Sequence, residues 1–429
     1  MEPTLVLITL IALIGFGFPI FLALGLSGLL GLYMDRGAMA FFFAPSSLFG
    51  QLNSFVLVAL PLFILMGNFL SATPVGASLF QAAVRWLNWL RGSLAISSVG
   101  ASAMFGAVSG VSLAGVAAVG SIAVPQMLKQ GYSRSLAAGS VVSAGALAML
   151  IPPSVPFIIY GAVSSVSVAD LFIGGIIPGI VLALALSLYI YVRVWLHPEE
   201  APAAAQRFTW KDRFVSLANI WHAALLVLAV LGSIYTGLAT PSEAAGIGAL
   251  GAFLIATLVF RSLSWRKLLE ILGSTARISG AILLIIGCAK IFGDYLNLVR
   301  VPQMLTEMLT ASALPAWAIL LAVMVLLVLL GMIVDAVSLI VVTTPVLLPL
   351  IEALGYDPLW FGIVLVLNLE IAVVTPPVGL NLYALQGVCP ELSIEEIIRS
   401  ALPFIAVQFL VLMLFVFFPS LSLWLPGLM

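Results

Sequence analysis

The sequence predicts an all-α polytopic membrane protein. It is read as two inverted repeats of about five transmembrane helices plus one re-entrant hairpin each, with helices broken at double prolines. Three observations carry that reading. Of 429 residues, 63% are apolar and only 8% charged, against roughly 45–50% and about 25% in soluble domains. The apolar residues gather in stretches long enough to cross a bilayer, which takes about 20 residues. Prolines and glycines of the first half recur in the second at one constant spacing. The composition excludes a soluble enzyme, because so few charges cannot clothe a chain of this length in water. It excludes disorder too, since such a chain can always bury enough surface. A net charge of −1 without a basic block offers nothing to nucleic acid. Two cysteines, Cys288 and Cys389, allow neither a disulfide framework nor a multi-cysteine metal site, and both read as packing residues.

Charges and turn residues cut the chain into apolar stretches at 4–34, 54–80, 94–128, 135–192, 216–236, 243–260, 278–297, 314–352, 358–388 and 400–424. The first lacks the basic region of a cleavable signal, having Glu2 and no Lys or Arg before Leu5, so it reads as membrane-embedded structure. It must break near Gly15–Pro19 to cross twice. Stretches 94–128 and 314–352 hold small and polar residues halfway along, and 135–192 and 358–388 exceed one straight span. Gly and Pro at mid-membrane depth are tolerated only where protein or a cavity satisfies the freed backbone. Re-entrant hairpins are therefore expected at about 94–128 and 314–352, and broken helices at about 135–165 and 358–388. Arg85, Trp86, Trp89 and Arg91 form an interfacial anchor pattern.

A polar linker at 193–215, containing His197 and followed by His222, separates residues 1–192 from 216–429. No chemical role is expected for either histidine. Pro125 matches Pro349, Gly131-Tyr132 matches Gly355-Tyr356, and Pro152-Pro153 matches Pro376-Pro377, all at an offset of 224. Pro19 and Pro241 each open a small-residue helix at nearly the same offset. This is an internal repeat. With the linker cytoplasmic and five crossings per half, thirteen Lys and Arg residues face the cytoplasm and only Arg36 and Arg300 the outside, with Lys290 in a span. That is a strong positive-inside bias. An odd number of crossings gives the halves opposite orientation and places both termini outside.

Inverted repeats with broken helices belong to secondary transporters, whose sites lie near the midplane where the repeats meet. Two constellations occur once per half. One is a hairpin tip: Ser109-Gly110-Val111-Ser112 first, then Val334-Asp335-Ala336-Val337-Ser338. The other is a broken helix: Ile151-Pro152-Pro153-Ser154, then Thr375-Pro376-Pro377-Val378-Gly379 followed by Asn381. A proline donates no backbone hydrogen bond and forces its predecessor out of the helical region, so the helix splits. Unwound carbonyls can then coordinate Na⁺, half-helix N-termini can face anions, and Asp335 would add a formal charge. The plainer alternative is that Pro-Pro kinks a helix and the Ser/Gly pairs tighten packing.

The segments SGVSLAGVAAVGSIAVPQM, GALAMLIPPSVPFIIYG, GLATPSEAAG, GMIVDAVSL and NLEIAVVTPPVGLNLYAL together resemble the large membrane subunit of TRAP (tripartite ATP-independent periplasmic) transporters, along essentially the whole chain and in order. The resemblance implies an ion-transporter-type fold with a scaffold, a mobile transport domain and an elevator mechanism. It implies Na⁺-coupled uptake of an organic acid across the bacterial inner membrane, with no other cofactor. The acid would be delivered by a periplasmic substrate-binding protein, alongside a small four-helix membrane subunit. It also implies one Na⁺ site at Ser109, Gly110, Ser112, Gly145, Pro152 and Ser154, and a second at Asp335, Ser338, Thr375, Val378 and Gly379. Substrate would lie between the tips, near Ser112, Ser154, Val155, Ser338 and Asn381. Val111 and Gly115 depart from the family's usual residues. Sialic acid, C4-dicarboxylates, other sugar acids and keto acids all suit an anion site built from backbone dipoles and small hydroxyls.

Four further residues have open roles. Lys290 and Asp294 share a helix face and can pair, on a transport path or at a helix end. Glu243 follows Thr240-Pro241-Ser242, which reads as an N-cap region. Glu370 precedes the second double proline by six residues and could support the broken helix or face a cavity. A membrane-embedded enzyme would need catalytic clusters that two histidines in the linker region do not supply. A channel would normally use oligomer symmetry, and a stand-alone carrier would need no receptor. No P-loop occurs, so energy is expected from an ion gradient. A reporter fused after Ala203 should register as cytoplasmic and one after Met429 as periplasmic; an external linker would overturn the inverted arrangement.

Overall fold

A computed structural model describes residues 2–202, 208–312 and 314–428. The reporter positions Ala203 and Met429, and Arg207 of the linker, lie outside the described residues. Every regular element among the described residues is helical. Seven helices are long and apolar enough to cross a membrane, or up to ten spans if each bent pair counts as one.

The N-terminal stretch breaks where Gly and Pro demand it. α1 (Glu2–Gly15) and α2 (Ile20–Arg36) pack on each other across a turn in which Gly17 has φ +79°, a conformation other residues rarely adopt. α3 (Ala40–Leu52), α4 (Ala59–Ser71) and α5 (Val75–Leu87) follow, with a 70° bend between the last two. The 54–80 stretch is thus two helices where the sequence suggested one span; Pro74 opens the second. α6 (Ser93–Ser109) and α7 (Ser112–Lys129) form the first hairpin. α8 (Arg134–Gly145), α9 (Leu147–Leu150) and α10 (Val155–Ser164) are the first broken helix, and α11 (Val168–Leu196) reaches the linker.

Beyond it come α12 (Trp210–Ala218), α13 (Trp221–Tyr235), α14 (Pro241–Leu254), α15 (Trp265–Leu298) and α16 (Val301–Thr310). The single 34-residue α15 starts thirteen residues before the 278–297 stretch. Its first turns carry Arg266, Lys267 and Glu270, which apolarity alone could not include. The second hairpin is α17 (Ala316–Gly331) with α18 (Ala336–Ala353), and the second broken helix is α19 (Pro358–Ala372) with α20 (Leu380–Val388). α21 (Ile394–Phe417) and the short α22 (Ser420–Leu423) complete the order.

Local geometry recurs at the sequence offset. α7 and α18 both have 18 residues, starting at Ser112 and Ala336. Gly131 and Gly355 both have φ +82°, and Pro152-Pro153 and Pro376-Pro377 are both cis. The Ser133 hydroxyl caps α8 and the Asp357 carboxylate caps α19, each supplying an acceptor to an otherwise orphan helix-start N–H.

Two helical groups result. α2 packs along α15 and α4 along α14, forming an outer group with α1, α3 and α13. α6 to α11 and α17 to α21 form an inner group containing both hairpins and both breaks. The anchor motif clamps the linker: the Trp86 indole donates to the Arg213 carbonyl at 3.2 Å, and the Arg213 guanidinium lies 4.8 Å from the Trp210 ring centroid. Phe41, Phe42 and Phe43 are exposed on the outer group, which suits acyl chains rather than water.

Glycine lets the inner helices touch backbone to backbone. A Cβ on Gly106 would lie 2.5 Å from the Ala148 Cα, whereas one on Gly232 meets nothing within 4 Å. Gly106→Ala should therefore lower stability by about 1–3 kcal/mol through overpacking, read as an earlier thermal unfolding midpoint in detergent. Gly232→Ala should leave it unchanged or raise it.

Candidate functional site

At the first hairpin tip, α6 ends at Gly110 with φ +63°, Val111 is extended and Ser112 starts α7. Gly110 is required twice over, by its left-handed backbone and because a Cβ there would sit 2.7 Å from the Pro153 carbonyl. That contact presses the tip against the first double proline, and the Val155 N–H points to the Gly110 carbonyl at 3.5 Å. The Ser112 hydroxyl donates to the Gly145 carbonyl at 3.1 Å. Ser154 donates to the Met149 carbonyl inside the break. Ser109, Gly110, Ser112, Gly145, Pro152, Ser154 and Val155 are all buried, so the residues expected at the first ion site share one closed neighbourhood. The Ser109 hydroxyl has no hydrogen-bond partner there.

The second site is more open. Asp335 caps α18, accepting from the Ser338 N–H at 3.0 Å and the Ser338 hydroxyl at 2.5 Å. Thr375 donates to the Ile371 carbonyl at 2.6 Å, and the Asn381 N–H crosses the break to the Val373 carbonyl at 3.1 Å. Gly379 has φ +52°, and a Cβ on Gly331 would meet that of Ala372 at 2.6 Å. The hairpin therefore approaches the break through α17 and α19. The side-chain hydrogen bonds that Asp335, Ser338 and Thr375 make to one another and to Ile371 stay within their own segments, and Val378 and Thr375 are half-buried.

One bond joins the two constellations. The Asn381 amide donates to the Ser112 hydroxyl at 2.7 Å, and the amide oxygen lies 2.9 Å from the same hydroxyl. The first tip is thereby tied to the helix that follows the second break. Packing repeats the exchange: α7 lies on α20, and α18 on α10. Of the expected substrate residues, Ser112 and Asn381 thus come into contact, while Ser338 stays engaged with Asp335. Sequence reasoning missed Gly67 of α4, where a Cβ would be 2.9 Å from the Ser109 carbonyl. A lone glycine in an apolar helix carries no readable signal for such a contact.

The remaining candidates separate. Lys290 and Asp294 pair at 2.6 Å, and Ser47 donates to the second Asp294 oxygen. They line a cavity of about 270 Å³ with Gln51, Asn297, Val163 and Pro345, at the seam between outer and inner groups. Glu243 forms a capping box with Thr240, the capping arrangement read from sequence. His222 packs on Phe260, and Cys389 on the Gly120 carbonyl. Glu370 is fully buried.

The profile of the family described as "Tripartite ATP-independent periplasmic transporter, DctM component" matches residues 7–421. The C4-dicarboxylate TRAP transporter large permease protein of Vibrio cholerae is 35% identical, across 100% of this chain and 98% of its own length. The isethionate TRAP transporter permease protein DctMQ of Oleidesulfovibrio alaskensis is also 35% identical over 96% of this chain, which spans 64% of that longer protein. Among solved structures, the YdaH transporter of Alcanivorax borkumensis superposes with a TM-score of 0.62 at 17% identity, covering 89% of each chain; that likeness concerns fold alone.

The Ser112–Asn381 bond makes a specific energetic claim. Each single alanine change leaves a buried polar group unpaired, costing about 1–3 kcal/mol. Ser112→Ala with Asn381→Ala should cost less than the sum, by about 0.5–3 kcal/mol. Additive unfolding free energies in the double-mutant cycle would show the pair to be uncoupled.

Proposed function

Because the chain belongs to the DctM-component family of tripartite ATP-independent periplasmic transporters, we propose that it is the large membrane subunit of a sodium-coupled organic-acid importer. Membership makes it a transporter permease rather than an enzyme, and a multi-pass protein of the bacterial inner membrane. The proposal adds the cargo, the coupling ion and the partners. Relatives named for C4-dicarboxylate and isethionate favour a small organic anion.

The observation that carries the reading is the Ser112–Asn381 junction, where a hairpin tip of one half meets the post-break helix of the other. Residues 1–192 and 216–429 act as inverted repeats about the 193–215 linker. Na⁺ binds the unwound carbonyls and small hydroxyls of each tip and break: Ser109–Ser112 with Gly145–Ser154, and Asp335–Ser338 with Thr375–Gly379. Substrate is held between the tips near Ser112, Ser154, Val155, Ser338 and Asn381, where half-helix N-termini favour a carboxylate. The inner group, with both sites, moves against the outer group as an elevator.

Capture at low concentration requires a periplasmic receptor, and the outer group offers an exposed apolar face for a small four-helix subunit. The fused name DctMQ of one relative fits a permease that works with a second membrane part. Proteoliposomes with this chain alone should show little uptake of succinate, a test C4-dicarboxylate. Adding the small subunit, the ligand-loaded receptor and inward Na⁺ should produce it. Strong uptake of free ligand by the isolated chain would refute the tripartite reading and leave a stand-alone carrier.

A further inference from the structure

Glu370 is the only carboxylate among the described residues that is fully buried, at 0% exposure, and neither of its oxygens accepts a hydrogen bond of normal geometry. The polar group facing it is the Met149 backbone N–H, in the other half of the chain. Both lie in the last turn of a helical run: Glu370 two residues before the end of α19, Met149 one before the end of the Arg134–Leu150 run. Helix C-terminal ends carry partial negative charge and burial disfavours an anion, a cost that the single Met149 N–H offsets only in part, so a cation beside Glu370 is favoured. Among the described residues, no basic side chain on the helices packed against α19 is free to supply one. The helices packed on α19 carry two basic residues, Arg193 and Arg399. Arg193 is paired with Glu200 at 2.7 Å and Arg399 with Glu395 at 2.6 Å.

Met149 also ties this carboxylate to the first break. Its carbonyl accepts from Ser154, and it stands one helical turn after Gly145, whose carbonyl accepts from Ser112. The two tips are chemically unequal: the second contains Asp335, whereas the first, Ser109-Gly110-Val111-Ser112, contains no acid. We propose that Glu370 is the charge-compensating carboxylate of the first sodium site, contributed to the first half's break by the second half. The proposal rests on the sodium-coupled reading above. Each bound ion then faces one carboxylate, and loading the first site bears directly on α19, the helix that leads into the second break. An unpaired buried carboxylate is costly; a bound Na⁺ removes that cost.

The test uses the full-length purified permease and Na⁺ itself, in equilibrium binding of radiolabelled sodium with choline chloride holding ionic strength constant. Glu370→Gln, which keeps shape and removes charge, should lower the affinity of one sodium by at least about tenfold, with an unfolding midpoint in choline no lower than that of the wild type. Asp335→Asn should weaken the other ion and leave this one. Should Glu370→Gln not fold, Glu370→Asp keeps the charge but retracts it, and should weaken the same ion. Wild-type sodium binding in a folded Glu370 variant would overturn the proposal and make the residue a neutral structural acid. Absence of sodium binding in the wild-type protein is a different result, and would remove the sodium reading itself.

Discussion

A bilayer supplies no water to an unpaired backbone group, so each N–H and C=O at membrane depth must find a partner within the protein. Two double prolines violate this by design. Each removes helical donors in the middle of an apolar run and leaves carbonyls exposed. The rest of the inner group is organised around containing that damage. In the first break Ser154 returns a donor to Met149, and Ser112 reaches across to Gly145. In the second, Thr375 bonds back to Ile371, and the Asn381 N–H spans the gap to Val373. On the proposed sodium reading, break carbonyls left without a donor are the groups that would receive the ion.

Containment needs close approach, and close approach selects glycine and serine. Gly110 admits the Pro153 carbonyl, Gly67 the Ser109 carbonyl, and Gly106 the Ala148 backbone. Without a hydrophobic force between helices in lipid, such contacts supply the packing. The outer group faces a different demand. It presents Phe and Leu to acyl chains, spans with the unbroken α15, and meets the inner group along a seam that includes a polar cavity at Lys290 and Asp294. The proposed elevator movement would run along that seam, whereas the close glycine contacts hold each hairpin against its break.

Much of this was legible in the residues. Both hairpins, both breaks, the turn at Gly15–Pro19 and the cap at Thr240 followed from where proline, glycine and small hydroxyls interrupt apolar runs, because those residues act locally. The misjudged elements were set by longer-range terms. The 54–80 stretch reads as one apolar run, yet Pro74 starts a new helix that turns by 70° to dock on α6 and receive the linker helix. The 34-residue α15 exceeds its apolar segment since a helix can continue past the apolar zone while its polar face finds Glu270 and the Ala72 carbonyl. The Ser112–Asn381 bond spans 269 positions and two different motifs. The repeat offset pairs Ser112 with Ala336 and not with Asn381, so periodicity could not reveal it. Glu370 was visible as an acid in an apolar helix, but its facing partner, Met149, is a backbone group that leaves no mark in a sequence.

The cross-connection also bears on mechanism. If each tip engaged only its own break, the two proposed ion sites could fill independently of each other. Here the first tip is held by the helix that follows the second break, and α18 leans on the helix that follows the first. Movement at one break therefore displaces the other half's tip. A ligand seated between the tips, as proposed, would contact elements of both halves, and its binding energy would then differ between arrangements in which the halves agree and those in which they do not. Such a difference in affinity between states is the only means by which a bound molecule can shift a conformational equilibrium. On the proposed sodium-coupled reading, that exchange of tips is what would couple ion and cargo, since it joins two separate interruptions of helical backbone through one contact.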